Sequence, residues 1–397
     1  MLHSRLRPLP RRNRTPAIIP ALASAPQDSK PELETEKETG AGAQKQQQED
    51  NDDDESSDDA EDLFGAFLPH LFPDDAPSFH GDPGQHLLYS SPRYGELEIM
   101  VPSYPENQKR SNTDSSSVAT VKQKSDEEVN NAEVGRKLFA HFLWSSGMVV
   151  AEGLELADTD AVDPLNDDEE YIVDSDALAE AREVWSVRGE TVLELGAGAA
   201  LPSLICALAN AYSVTITDHP SSPALKGAIQ FNMAHNLHND NNASTNTNTN
   251  TNNSNTNTDT DTNIKPTQLS IHPHEWGNIS DPFAMANKGK FTRIIAADCY
   301  WMMTQHENLC TSLDWFLAPE GKVWVVSSFH TGRAVVGHFF DTAVEFGFVI
   351  ERIWERDLVK RDCGRERRRS WRDDGYGDEE GGLERRRWCV VAVLKRG

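Results

Sequence analysis

Cysteine is scarce in this chain, and no two cysteines are spaced for chemistry. Cys206, Cys299, Cys310, Cys363 and Cys389 are the five in 397 residues, and none forms a Cys-x-x-Cys pair. That offers neither a zinc site nor a disulfide framework and fits a reducing compartment. A cytoplasmic protein without a bound metal is therefore expected. No stretch approaches the ~20 apolar residues of a bilayer-spanning helix, so no membrane partner is expected. Basic charge is in short supply as well, with 38 Lys and Arg against 64 Asp and Glu. The imbalance is uneven: residues 1–27 hold five arginines and no acid, and residues 28–62 hold fifteen acids and three lysines. What remains is acidic too, which disfavours nucleic acid and favours basic protein partners.

Hydrophobic residues make up only 37% of the chain, and several segments have too few to bury a core. Residues 1–61 read as a disordered tail, basic then acidic. Its arginine-rich start has the composition of a mitochondrial presequence, but Pro8, Pro10, Pro16 and Pro20 would break an amphipathic helix. Residues 62–156 read as N-terminal elements packing on a core, with a hairpin from 87–89 and 97–101 and an apolar helix over 134–156. Residues 157–397 read as the core itself. Two insertions interrupt it: an Asn/Thr tract at 239–263, read as disordered, and a charged, glycine-containing run at 356–387, read as a disordered hairpin tip or a partner-binding loop.

The most informative stretch lacks a glycine. Residues 191–204, TVLELGAGAALPSL, read as a buried strand, a tight turn and a helix. Such a unit binds nucleotide-like cofactors at the carboxyl end of a parallel sheet. Gly196 and Gly198 permit the turn and a close ligand approach. A dinucleotide fingerprint needs a third glycine where Leu201 stands. The frame that fits is an acid, two glycines and a small residue: Glu194, Gly196, Gly198, Ala200. The next strand, 213–218, ends in Asp218, where a carboxylate can accept both ribose hydroxyls. Further strands are expected at 269–274, 292–298, 322–327, 348–354 and 388–394. The last follows its predecessor without a crossover helix and must pair antiparallel. The fold class is thus α/β, a Rossmann-like seven-stranded sheet with an antiparallel last strand, an N-terminal extension and disordered insertions.

The glycine frame resembles motif I of the class I S-adenosylmethionine-dependent methyltransferases. Phe142-Leu-Trp-Ser-Ser-Gly147, Glu275-Trp276-Gly277 and Asp298-Cys299-Tyr300-Trp301 narrow the resemblance to the seven-strand non-histone protein lysine methyltransferases. Within these it is similar to fungal nicotinamide N-methyltransferase-like members, some of which methylate elongation factor 1-alpha on its N-terminus and a nearby lysine. The resemblance implies S-adenosyl-L-methionine as cofactor. It implies Trp144, Glu194, Gly196, Gly198, Asp218, Trp276 and Asp298 as cofactor-binding residues, and Asp298, Tyr300 and Trp301 as the catalytic group around the acceptor amine. Trp301 stands where the family often has tyrosine, so a phenolic oxygen that would orient the amine is absent at that position. Asn232 and Asn236, four apart on one helical face, read as structural. The expected activity is N-methylation of a protein lysine or N-terminal amine by a monomer. The alternatives are methylation of a small nicotinamide-type amine, or a non-catalytic binding module of the same fold.

Overall fold

The computed structural model describes residues 2–10, 78–103, 142–159, 175–238, 266–362, 365–372 and 381–397. A short strand, β1 (Leu6–Pro8), is followed by β2 (Phe79–His80) and a hairpin of β3 (His86–Ser91) and β4 (Gly95–Met100). β5 (Leu143–Trp144) runs directly into helix α1 (Ser145–Asp158), and α2 (Ser175–Trp185) comes next. Strands and helices then alternate: β6 (Thr191–Glu194), α3 (Leu201–Leu208), β7 (Ser213–Asp218), α4 (Ala228–His238) and β8 (Gln268–Pro273). They continue as α5 (Pro282–Ala286), β9 (Phe291–Ala297), α6 (His306–Phe316), β10 (Leu317–Ser328) and α7 (Arg333–Glu345). The chain closes with β11 (Phe348–Asp362), β12 (Arg365–Ser370), α8 (Gly382–Arg386) and β13 (Trp388–Arg396).

One sheet carries the order β12–β11–β13–β10–β9–β6–β7–β8. β8, β7, β6, β9 and β10 pair parallel, and β13 runs antiparallel between β10 and β11. The parallel strands are apolar on both faces because helices cover both sides. Val192, Ile295 and Trp324 point into one core layer, and Leu193, Ile294, Ala296, Val323 and Val325 into the other. This period of two is the pleat read directly.

Four expectations change. The sheet has eight strands among the described residues rather than seven, because 365–370 fold back on β11 instead of staying irregular (Trp354↔Ser370 to Asp362↔Arg365). Its arginines find acids there: Arg368 meets Glu180, Arg369 meets Glu355, and Arg367 meets Asp357. The first residues are not all tail, since Leu6–Pro8 pairs with β3 and Arg5 bonds Glu152 and Glu155 on α1. The helix expected over 134–156 begins, among the described residues, only at Ser145. Leu143 and Trp144 are extended and pair with His80 and Phe79, and residues 134–141 lie outside the described set. Finally, α2 was not foreseen, although Leu178, Ala181, Val184 and Trp185 all turn inward. Gly153 admits it: a β-carbon there would lie 2.6 Å from the Trp185 ring. The 239–263 tract lies outside the described residues.

β4 is completed by side chains. Asn232 Oδ1 accepts from Met100 N at 2.7 Å, and its Nδ2 donates to Met100 O at 3.0 Å and to Ala199 O at 2.8 Å. One turn on, Asn236 takes Glu98 N at 3.0 Å and gives to Glu98 O at 2.9 Å. Two amides at helical spacing thus stand in for a neighbouring strand, and one of them also holds the glycine loop. Replacing Asn236 by Ala leaves two backbone groups at a buried site unpaired. We expect Asn236→Ala to lose roughly 2–3 kcal/mol of stability, measured by urea unfolding, with the secondary structure retained.

Candidate active site

The strand order reverses between β6 and β9, and a cleft opens at their carboxyl ends, where open α/β sheets take ligands. It encloses about 750 Å³ of atom-free space, part of it open to solvent. The loop after β6 forms its floor. Gly196 and Gly198 have φ of +64° and +52°, a region L side chains rarely adopt. At Gly196 a β-carbon would also lie 3.1 Å from the Trp276 ring and 3.0 Å from Cys299 Sγ. Glycine is therefore required here by backbone and by space.

Two acids fix this loop in different ways. Asp218, at the end of β7, accepts from Gly198 N at 2.8 Å and from His219 N at 2.7 Å while lining the cleft. Glu194 does not reach the cleft, which corrects its expected cofactor contact. Ala200, the residue capping α3, sits at φ +56° and has no side chain able to cap. Glu194 takes over: its Oε2 accepts from Ser203 N at 3.1 Å and from Ser203 Oγ. The acid closes the helix terminus. Burial, against the help of those two bonds, pushes its carboxyl up to about 8.

The walls are aromatic. Trp144, Trp276 and Trp301 all line the cleft, together with Phe142. Trp144 stacks on His330 with centroids 4.9 Å apart. Tyr300 is the second correction. It is fully buried, stacks on Phe339 at 4.3 Å and lies in the core instead of the cleft. In the chain that turns away after β9, neighbouring side chains diverge, so the residue beside Trp301 faces the other way.

Asp298 lines the cleft from the end of β9, with φ +52°, unusual for a residue with a side chain. Its Oδ2 accepts from Ser146 Oγ. Its Oδ1 accepts from Ser327 Oγ at 2.8 Å and from Ser328 N at 3.2 Å, and His330 Nδ1 lies 3.8 Å away. The carboxylate ties α1, β9 and β10 together.

Sequence reasoning passed over His219, His274, Cys299, Met302 and Gln305, all cleft-lining. Nearness in sequence to Asp218, Trp276 and Asp298 would have flagged His219, His274 and Cys299. His274 is held by Ser312 Oγ at 3.0 Å and Asp281 at 3.3 Å, and burial pulls it below the usual histidine range. Among the described residues no Lys or Arg lines the cleft, while Asp218, Glu275 and Asp298 do. A cation is the ligand this lining favours.

A sheet with β10, β9, β6, β7 and β8 parallel, β13 and β12 running against them, and an acid-lined cleft at its switch point is a Rossmann-like α/β fold. No protein-family model matches the chain. It is similar to proteins named protein N-terminal and lysine N-methyltransferase EFM7 in several fungi. The Candida glabrata protein is 30% identical over 175 residues, 42% of this chain and 57% of that protein. The Debaryomyces hansenii protein is 26% identical over 281 residues, covering 68% of this chain and 85% of that one. The chain thus spans less than two thirds of the Candida glabrata relative's length. Among solved structures, a TehB-like SAM-dependent methyltransferase from Corynebacterium glutamicum aligns with 69% of this chain and 96% of its own, at 13% identity and a TM-score of 0.32. The fold assignment rests on the strand order instead. No helix among the described residues is long and apolar enough to cross a membrane.

The Glu194 carboxyl yields a prediction with a definite sign. Its value rises from about 4.5 to about 8 on folding, so between those limits the folded state binds the extra proton. Its contribution to stability is complete below pH 4.5 and is lost as the pH rises to 8. Glu194→Gln removes the titration. The stability difference between variant and parent, followed by chemical unfolding, should move in the variant's favour from pH 5 to pH 8.

Proposed function

We propose that this protein is an S-adenosylmethionine-dependent N-methyltransferase whose acceptor is a protein lysine or N-terminal amine. One observation carries the donor half: the Gly198 amide is bonded to the Asp218 carboxylate at the floor of the cleft. In a dinucleotide site the amides of this loop meet pyrophosphate. Here an acid occupies the amide, and among the described residues no Lys or Arg lines the cleft to replace it. An anionic pyrophosphate is disfavoured, whereas a cationic sulfonium and a ribose suit the same groups.

The lining fits the cofactor. Asp218 bonds the backbone through both oxygens, and an ionised carboxylate, with about four acceptor sites, can also accept from ribose hydroxyls. Trp276 offers a flat apolar face beside Gly196 for a purine. Bound there, S-adenosylmethionine supplies a methyl group on a positively charged sulfur.

The chain's task is to hold an amine in line with that methyl group and to let it lose its proton. Phe142, Trp144 and Trp301 present apolar faces that desolvate an ammonium and lower its usual value of ~10.4. The same faces attract the cation as it enters. Asp298 places its carboxyl group beside them, and its serine contacts fix where that group sits. The protein acceptor is supported by the names of the fungal relatives, and elongation factor 1-alpha is the acceptor to try first. The acidic surface suits a basic partner. We further read the enzyme as a cytoplasmic monomer that does not engage nucleic acid.

Replacing Asp218 by Ala should reduce cofactor affinity by about ten-fold or more, since charge-assisted bonds to a ribose contribute roughly 1.5–3 kcal/mol, while circular dichroism stays unchanged. Unaltered affinity for S-adenosylmethionine by calorimetry would remove the donor assignment. Incubating labelled cofactor with elongation factor 1-alpha, with a total protein extract and with nicotinamide separates a protein acceptor from a small one.

A further inference from the structure

The run at 356–387, set aside in the sequence as an insertion, is joined to the acceptor side of the cleft by a buried charge triad. Glu355 on β11 has no solvent exposure. Arg333, the first residue of α7, grips it with both terminal nitrogens, at 2.6 and 2.8 Å. From the other side Arg369 of β12 donates to the same carboxylate at 2.7 Å, and the Arg372 amide follows at 3.3 Å. The Arg333 guanidinium also lies 4.1 Å over the Phe329 ring. Trp371, directly after β12, packs nearly parallel to Phe329 at 6.1 Å and edge-on to Phe340 at 5.4 Å. Phe329 and Arg333 bracket the loop that carries His330.

That loop is held at three points. Ser328 bonds Asp298, His330 stacks on Trp144, and Arg333 bonds Glu355. Two of these three contacts belong to the cleft wall; the third belongs to the β11–β12 hairpin. We propose that the hairpin, through Glu355 and Trp371, sets the position of His330 and so of Trp144, which stacks on it from the cleft wall, and thereby controls how the acceptor is seated. Glu355 and Trp371 are positioning residues. Neither lines the cleft, and both act through Phe329, His330 and Trp144. The donor side is held by a different set of side chains, Glu194, Asp218 and Asn232. The effect is therefore confined to the acceptor, and the inference rests on the methyltransferase reading above.

Trp371 is half-buried and can be changed with less risk to folding than Glu355. The test measures methyl transfer from labelled S-adenosylmethionine to the proteins of an extract prepared from cells lacking this gene, with the extract concentration varied. In Trp371→Ala the half-saturating extract concentration should rise about ten-fold, the order expected when a positioned group shifts by a fraction of an ångström. Calorimetric affinity for S-adenosylhomocysteine should stay within about two-fold, because the donor contacts are untouched. Trp371→Phe, which keeps a ring against Phe329, should restore most of the loss. A normal acceptor dependence in Trp371→Ala overturns the proposal, as does an equal loss of donor affinity. Absence of transfer by the parent protein, with donor binding intact, overturns the acceptor reading itself and the inference with it. Loss of donor binding in the parent would strike the methyltransferase assignment, a different failure.

Discussion

The Asp298 carboxylate is the contact on which the cleft depends. A buried anion is costly unless its acceptors are filled, and here they are filled from two elements besides its own. Ser146 comes from the first turn of α1, and Ser327 and Ser328 come from the end of β10. Each donor is short and hydroxyl-bearing or is the backbone itself, so each holds its element close. The carboxylate is presented from a backbone turn of positive φ at the strand end. Such a turn costs of order 1–3 kcal/mol, and charge-assisted bonds offset it. The first turn of α1 also carries Trp144 into place one residue before the helix. One carboxylate thus ties together the end of β9, an aromatic wall and the loop opposite.

The donor side solves a separate problem with the same economy of groups. A helix whose cap residue is alanine has amides to satisfy at its start. Glu194 satisfies one from the strand beneath, and Asp218 satisfies the Gly198 amide in the turn between. Because both acids bond main chain, the loop is rigid before any ligand arrives, which spares the ordering cost of binding. Asn232 completes the set by holding Ala199 O from α4. Its other bonds run to β4, so the small N-terminal sheet and the cofactor loop share one side chain.

The parts that were legible in the sequence are those whose constraint is local. The apolar pattern around Val192 and Leu193, the glycines at 196 and 198, and the acid at Asp218 each express a rule confined to a few residues. The unreadable parts depend on where two distant segments meet. Glu194 and Asp218 look alike as strand-end acids. Only the missing cap at Ala200 separates the one that bonds a helix from the one that faces the cleft. Tyr300 and Trp301 are neighbours with opposite fates, because one packs on Phe339 of α7 and the other borders the cleft. The strand at 365–370 was hidden for another reason: five of its eight residues through Arg372 are arginines, a composition that normally marks solvated chain. It is a strand because acids on α2 and β11 are placed to receive it.

Those acids explain how an excess of negative charge coexists with a packed fold. Glu152 receives Arg356 from β11 and Arg5 from the first residues of the chain. Glu155 shares Arg5 with the Tyr89 hydroxyl, yet burial still lifts its carboxyl to about 7. Asp357 takes Arg367 and Arg387, and Glu355 takes Arg333 and Arg369. In each case a buried acid is met by two donors that are distant in sequence. Pairing of this kind adds little net stability against an apolar core, but breaking one partner is costly. Its effect is to fix which segments meet. Arg5, Arg356, Arg369 and Arg387 therefore pair with acids inside the fold, while Asp218, Glu275 and Asp298 line the cleft.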